Sequence, residues 1–236
     1  SNYKVVGFTA EVELEQLVAI GKKHNVPVME DLGSGALIDL GKYGLPKEPL
    51  VAERIEAGAD VVTFSGDKIL GGPQAGLMVG KKSLIARMNK NHMQRALRCG
   101  KLTLAALEAT LRLYRQSPDI TQAIPTLRAF TRPLEEIRAL GESVLPTLQI
   151  ALGGDFRLKL ENSTAQIGSG ALPTEELPTV VIAVEHAKLS ADAVAKKFRG
   201  ANPPILGRVN EDRFLLDLRT IFDADDVIPK FQPTVS

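Results

Sequence analysis

The sequence predicts an α/β fold: a large domain on a mostly parallel sheet, then a smaller α+β domain. Two observations carry this. Short β-branched or aromatic runs alternate with helical stretches through the first part of the chain, the pattern of strands joined by crossover helices. Pro118 and Pro125 then break a long helical stretch, and beyond them one long helix precedes a set of strands. We place the boundary there, giving domains 1–125 and 126–236.

In order, Lys4 to Phe8 reads as a strand. Thr9 is placed to cap a helix from Glu11 to about Asn25, with Leu14, Leu17, Val18 and the Gly21 region on one face. Pro27-Val28-Met29 forms a strand ending at Glu30-Asp31, and Gly33-Ser34-Gly35 follows. A helix from about Leu50 to Ala57 leads into the strand that starts at Val61 and ends at Ser65-Gly66. Ala75 to Val79 reads as a further strand, and residues 81–116 as largely helical. In the second domain a helix spans roughly Pro133 to Leu152 and stops at Gly153-Gly154. Arg157 to Leu160, Thr179 to Val184 and Phe214 to Leu218 are strands, with a helix over Ala191 to Phe198. There is no internal repeat and no low-complexity tract.

Composition excludes several function classes. The chain has 236 residues, 44% hydrophobic, with a formal net charge of +1. That is enough for real cores and argues against a globally basic nucleic-acid binder, while leaving room for a local basic patch. The single cysteine, Cys99, excludes an internal disulfide and points to a reducing, cytoplasmic compartment. No apolar run is long enough to span a bilayer, so no membrane partner is expected, and no basic-then-apolar leader opens the chain. The abrupt start suggests a chain cut inside a domain.

Candidate chemistry gathers at strand ends, where ligands bind in parallel sheets. Lys68 follows the Val61 strand in a loop committed by Gly71-Gly72-Pro73 to a tight course. It reads either as a surface amine or, desolvated, as a nucleophile suited to a Schiff base. Asp31, beside Gly33 and Gly35, is either a loop aspartate or the partner of a buried cation, such as the protonated ring nitrogen of pyridoxal phosphate. Ser65 can donate to a phosphate or serve the turn. Asp67 can move protons near Lys68 or cap the loop. Residues 81–101 hold Lys81, Lys82, Arg87, Lys90, Arg95, Arg98 and Lys101 and no acid; on one helix Arg95 and Arg98 share a face suited to an oxyanion.

Other patterns fail. Ile38 stands where a dinucleotide fingerprint needs its third glycine, and Gly76 to Lys82 lacks phosphate-loop spacing. His24, His92 and His186 have no ligand partners at metal spacing. His24 suits a helix C-terminus, and Cys99 a structural place in or beside a helix.

Glu30-Asp31-Leu32-Gly33-Ser34-Gly35, the run Thr63 to Gly76, and Arg95-Ala96-Leu97-Arg98-Cys99-Gly100-Lys101 closely resemble the bacterial selenocysteine synthase family, the L-seryl-tRNA(Sec) selenium transferases. Ile205 to Arg208 and Leu215 to Arg219 resemble the family's C-terminal domain. The resemblance implies a fold-type-I pyridoxal phosphate architecture. It implies that Lys68 is the Schiff-base lysine, Asp31 the acid on the pyridine nitrogen, Asp67 a catalytic neighbour, and Arg95 and Arg98 the holders of the selenium donor's phosphate. The implied reaction turns seryl-tRNA(Sec) into selenocysteinyl-tRNA(Sec) with selenophosphate through a dehydroalanyl intermediate, in rings built of dimers. Family members carry more chain before the first motif. The expectation is therefore a C-terminal half, a fragment or a truncated product, that neither holds the cofactor tightly nor acts alone. Two alternatives are a related lyase on a small amino acid, phosphorylated or not, and a non-catalytic remnant.

Overall fold

A computed structural model of the chain describes residues 7–167 and 176–231. It divides into two compact units, one running to Thr131 and the other starting at Arg132. The strand expected over 4–8 lies outside the described residues in its 4–6 part, and Gly7 and Phe8 form a bend.

The first unit opens with helix α1, Leu14–His24. Thr9 does not cap it. Glu13 occupies the cap position in extended conformation, with no side-chain cap bond. Leu14, Val18 and Gly21 form the buried stripe, spaced as one helical face. Leu17, expected on that face, is 42% exposed, because it falls to the side of the stripe.

Strand β1 (Met29–Gly33), helix α2 (Val51–Glu56), and strands β2 (Val61–Ser65) and β3 (Gly76–Gly80) follow. β1 pairs parallel with β2, Asp31 opposite Thr63. β3 joins antiparallel, Gly76 opposite Ser65. The sheet is therefore mixed. Alternation along β2 sends Val62 and Phe64 into a cluster with Leu14, Val18 and Val51, so Thr63 and Ser65 face the other way. Arg54 of α2 grips Glu30 of β1 with Nε to Oε2 at 2.8 Å and Nη2 to Oε1 at 2.7 Å, a two-pronged bond that fixes the strand carrying Asp31.

The stretch expected as largely helical is three helices: α3 (Lys82–Asn89), α4 (Met93–Leu97) and α5 (Lys101–Gln116). Short helices α6 (Ile120–Ala123) and α7 (Pro125–Thr131) close the unit. Among the described residues no helix is long and apolar enough to cross a membrane.

In the second unit, α8 (Leu134–Leu152) packs with strands β4 (Phe156–Gln166) and β5 (Glu176–His186), helix α9 (Ala191–Arg199), and strands β6 (Arg208–Asn210) and β7 (Arg213–Asp217). The antiparallel sheet runs β4-β5-β7-β6. Ile137, Val144 and Leu148 of α8 and Val194 and Phe198 of α9 cover Val180, Ile182, Phe214 and Leu216. β6 was not expected, since Arg-Val-Asn carries no apolar alternation; pairing with β7 makes it a strand.

Candidate active site

The loops after β1 and β2 are bound to each other. The Ser34 carbonyl accepts the Ile69 N–H at 3.2 Å, so the segment after Asp31 touches the residue after Lys68. Gly35, at φ +73°, makes this approach possible: a Cβ there would lie 2.8 Å from the Ser65 carbonyl oxygen. The Gly33-Ser34-Gly35 stretch thus serves loop contact.

The Lys68 loop is closed on itself. Gly66 N–H donates to the Ala75 carbonyl at 2.9 Å, Gly72 N–H to that of Gly66 at 2.8 Å, and Gly71 N–H to that of Lys68 at 3.0 Å. The Tyr114 hydroxyl of α5 donates to the Leu70 carbonyl at 3.1 Å. Burial pushes that phenol up to about 12, because the phenolate would be poorly solvated. Gly71 has φ +71°, and a Cβ there would stand 2.6 Å from Ile124 Cγ2. Ile69 and Leu70 are buried and anchor the loop; Asp67 is exposed and Lys68 half-buried.

Asp31 shares a sheet face with Thr63 and Ser65, opposite the helix-covered one. The Thr63 hydroxyl donates to Asp31 Oδ1 at 2.8 Å; among the described residues Oδ2 takes no hydrogen bond. Asp31 is exposed. Met29 and Met78 on the same face are 62% and 54% exposed, so water reaches this side of the sheet.

Arg95 and Arg98 do not share a helical face. α4 ends at Leu97, and Arg98 is extended at φ −64°, ψ 125°, with Arg95 in the last helical turn. The extended stretch continues through Gly100, a residue that weakly supports helix. Both arginines are exposed, and Cys99 between the helices is half-buried. His24 ends α1. Among the described residues no three His, Cys, Asp or Glu gather as a metal site.

Three residues were missed. Thr63 orients Asp31; strand register, invisible before pairing is known, places it there. Tyr114 holds the lysine loop from 44 residues away, with no local signal. Ser34 is 1% exposed, and its hydroxyl finds no hydrogen-bond partner among the described residues.

The comparisons with known proteins agree with one another. A family model described as L-seryl-tRNA selenium transferase matches residues 1–222. The L-seryl-tRNA(Sec) selenium transferase of Serratia proteamaculans (strain 568) is 48% identical over 231 residues, 97% of this chain and 50% of its own length. The protein of that name from Geobacter metallireducens is 49% identical over 225 residues, 95% of this chain and 49% of its own. The chain thus spans about half the length of the curated relatives it matches. Among solved structures, D-glucosaminate-6-phosphate ammonia-lyase shares the fold at TM-score 0.54 and 20% identity, over 92% of this chain and 50% of that one. The expected fold class, the fold-type-I α/β architecture, stands.

Proposed function

The chain belongs to the L-seryl-tRNA selenium transferase family, and from that premise we propose that its Asp31 and Lys68 loops form part of a pyridoxal phosphate site. The reaction is conversion of seryl-tRNA(Sec) to selenocysteinyl-tRNA(Sec) with selenophosphate, in a cytoplasmic homo-oligomer. One observation carries this reading: two loops at the carboxyl ends of adjacent parallel strands, one with an acid and one with a primary amine, joined by the Ser34–Ile69 hydrogen bond.

The residues fit the cofactor. Asp31 offers Oδ2 to a cationic ring nitrogen, with Thr63 steadying Oδ1. Ser65 on the same face presents a hydroxyl toward a phosphate. The rigid, glycine-closed loop holds the Lys68 amine in place for the cofactor's aldehyde. When bound, pyridoxal phosphate supplies an electron sink for the carbanion at the seryl α-carbon. Lys68 Nζ moves the α-proton, and Asp67 protonates the departing seryl hydroxyl. Arg95 and Arg98, presented from a helix end and the extended segment after it, hold the anionic selenium donor. The exposure of Asp31 supports weak cofactor retention by this chain alone.

The test is to equilibrate the chain with high pyridoxal phosphate, reduce with borohydride and map the product. The pyridoxyl group is expected on Lys68, and Lys68→Ala removes it. Label spread evenly over surface lysines, unchanged in Lys68→Ala, would overturn the reading.

A further inference from the structure

At the opposite end of the first sheet from the Lys68 loop lies a cleft of about 280 Å³ between α1 and α3. Register fixes the placement: Val61 and Gly80 pair at this end, Ser65 and Gly76 at the other. The five residues of β2 put roughly 15 Å between them. Lys22, from the last turn of α1, and Lys81 and Arg87, at the two ends of α3, line the cleft with Asn25 and Ser83. Of its lining residues only Asp60 is acidic. That carboxylate is already committed, to Lys81 Nζ at 2.5 Å and the Val28 N–H at 2.7 Å. Two positive charges therefore remain uncompensated within the cleft.

The surroundings extend the field. Lys23 and His24 flank Lys22 on α1. Lys82 and Lys90 flank the cleft residues on α3, a helix with no buried residue. Residues 81–101 contain no acid. None of these cations is used by the proposed chemistry. We infer that the α1–α3 cleft is a docking surface for the phosphate backbone of RNA. A concave run of lysine and arginine with hydrogen-bonding Asn and Ser, and no aromatic base-stacking platform, suits backbone contact without base readout. This rests on the proposed function and deepens it: a substrate whose reacting group sits at one end of the sheet and whose body is a long polyanion reaches both ends, whereas a small amino acid reaches only one.

The experiment measures binding of a labelled tRNA(Sec) transcript to the chain across a potassium chloride series. A Lys22→Glu/Arg87→Glu double variant is compared with a Lys188→Glu/Lys196→Glu control of equal charge change in the second unit. The cleft variant is expected to bind at least 10-fold more weakly at 0.1 M salt, with a log–log salt slope shallower by about 1.5 to 2, as loss of two phosphate contacts requires; the control keeps most of its affinity. That result supports the surface whether or not Lys68 takes cofactor. Equal weakening in both variants, no weakening in the cleft variant, or tighter capture by anionic vesicles than by RNA overturns it, even where Lys68 labels as proposed.

Discussion

The second unit gathers most of its apolar residues into one large core, whereas the first leaves more of them on its surface. In the second, Phe198, Ile182, Leu148 and Leu218 are fully buried in one cluster between two helices and a sheet. Phe198 meets Phe214 with ring centroids 4.9 Å apart. In the first, α5 has no buried residue at all, and Leu102 is 87% exposed. Its two clusters are smaller, and one sheet face lies open beside Asp31. Burial in the second unit supplies stability; in the first the packing is concentrated behind the lysine loop, leaving polar groups reachable.

The sharpest way to break that contrast is a pair of truncations. Phe198→Ala is expected to cost about 3–5 kcal/mol and Leu102→Ala less than about 0.5 kcal/mol, both read from denaturant midpoints. Similar losses at the two sites would erase the contrast.

Next in size is the loop itself. Gly71→Ala forces a side chain into a positive-φ position against Ile124. About 1–3 kcal/mol of destabilisation is expected, concentrated in residues 66–75 by hydrogen exchange. Uniform loss across the chain would show that the loop is no separate rigid element.

A smaller effect sharpens the picture further. Tyr114→Phe removes the hydroxyl bond to Leu70 and should cost about 0.5–1.5 kcal/mol. The sign with pH follows from the raised phenol. The neutral form is the one the fold holds, so its contribution is intact below pH 10 and disappears as pH climbs toward about 12. Opening of the lysine loop should therefore accelerate over that range in the wild-type chain, and the Tyr114→Phe variant should lack that component.

Much of this was legible in the sequence because apolar runs announce buried strands. The spans of α2, β2 and α8 fall within a residue or two of expectation, and Asp31 and Lys68 stand out as charged residues just past such runs. What escaped depended on partners distant in sequence. Strand register decides that Thr63 meets Asp31, and pairing alone makes β6 a strand. The exposure of Asp31 depends on what covers the sheet, which no local pattern encodes. The break at Arg98 misled for a different reason: Arg-Ala-Leu-Arg has good helix formers, but Gly100 and an extended backbone end α4 first.

Whether Asp31 and Lys68 address one cofactor ring is read by trapping ¹⁵N-labelled pyridoxal phosphate on the chain with borohydride and recording the ring-nitrogen chemical shift. A protonated nitrogen near neutral pH in the wild-type chain, lost in Asp31→Ala, is the result expected. The same shift in both proteins would place the acid away from the ring and rule out a shared site for Asp31 and Lys68.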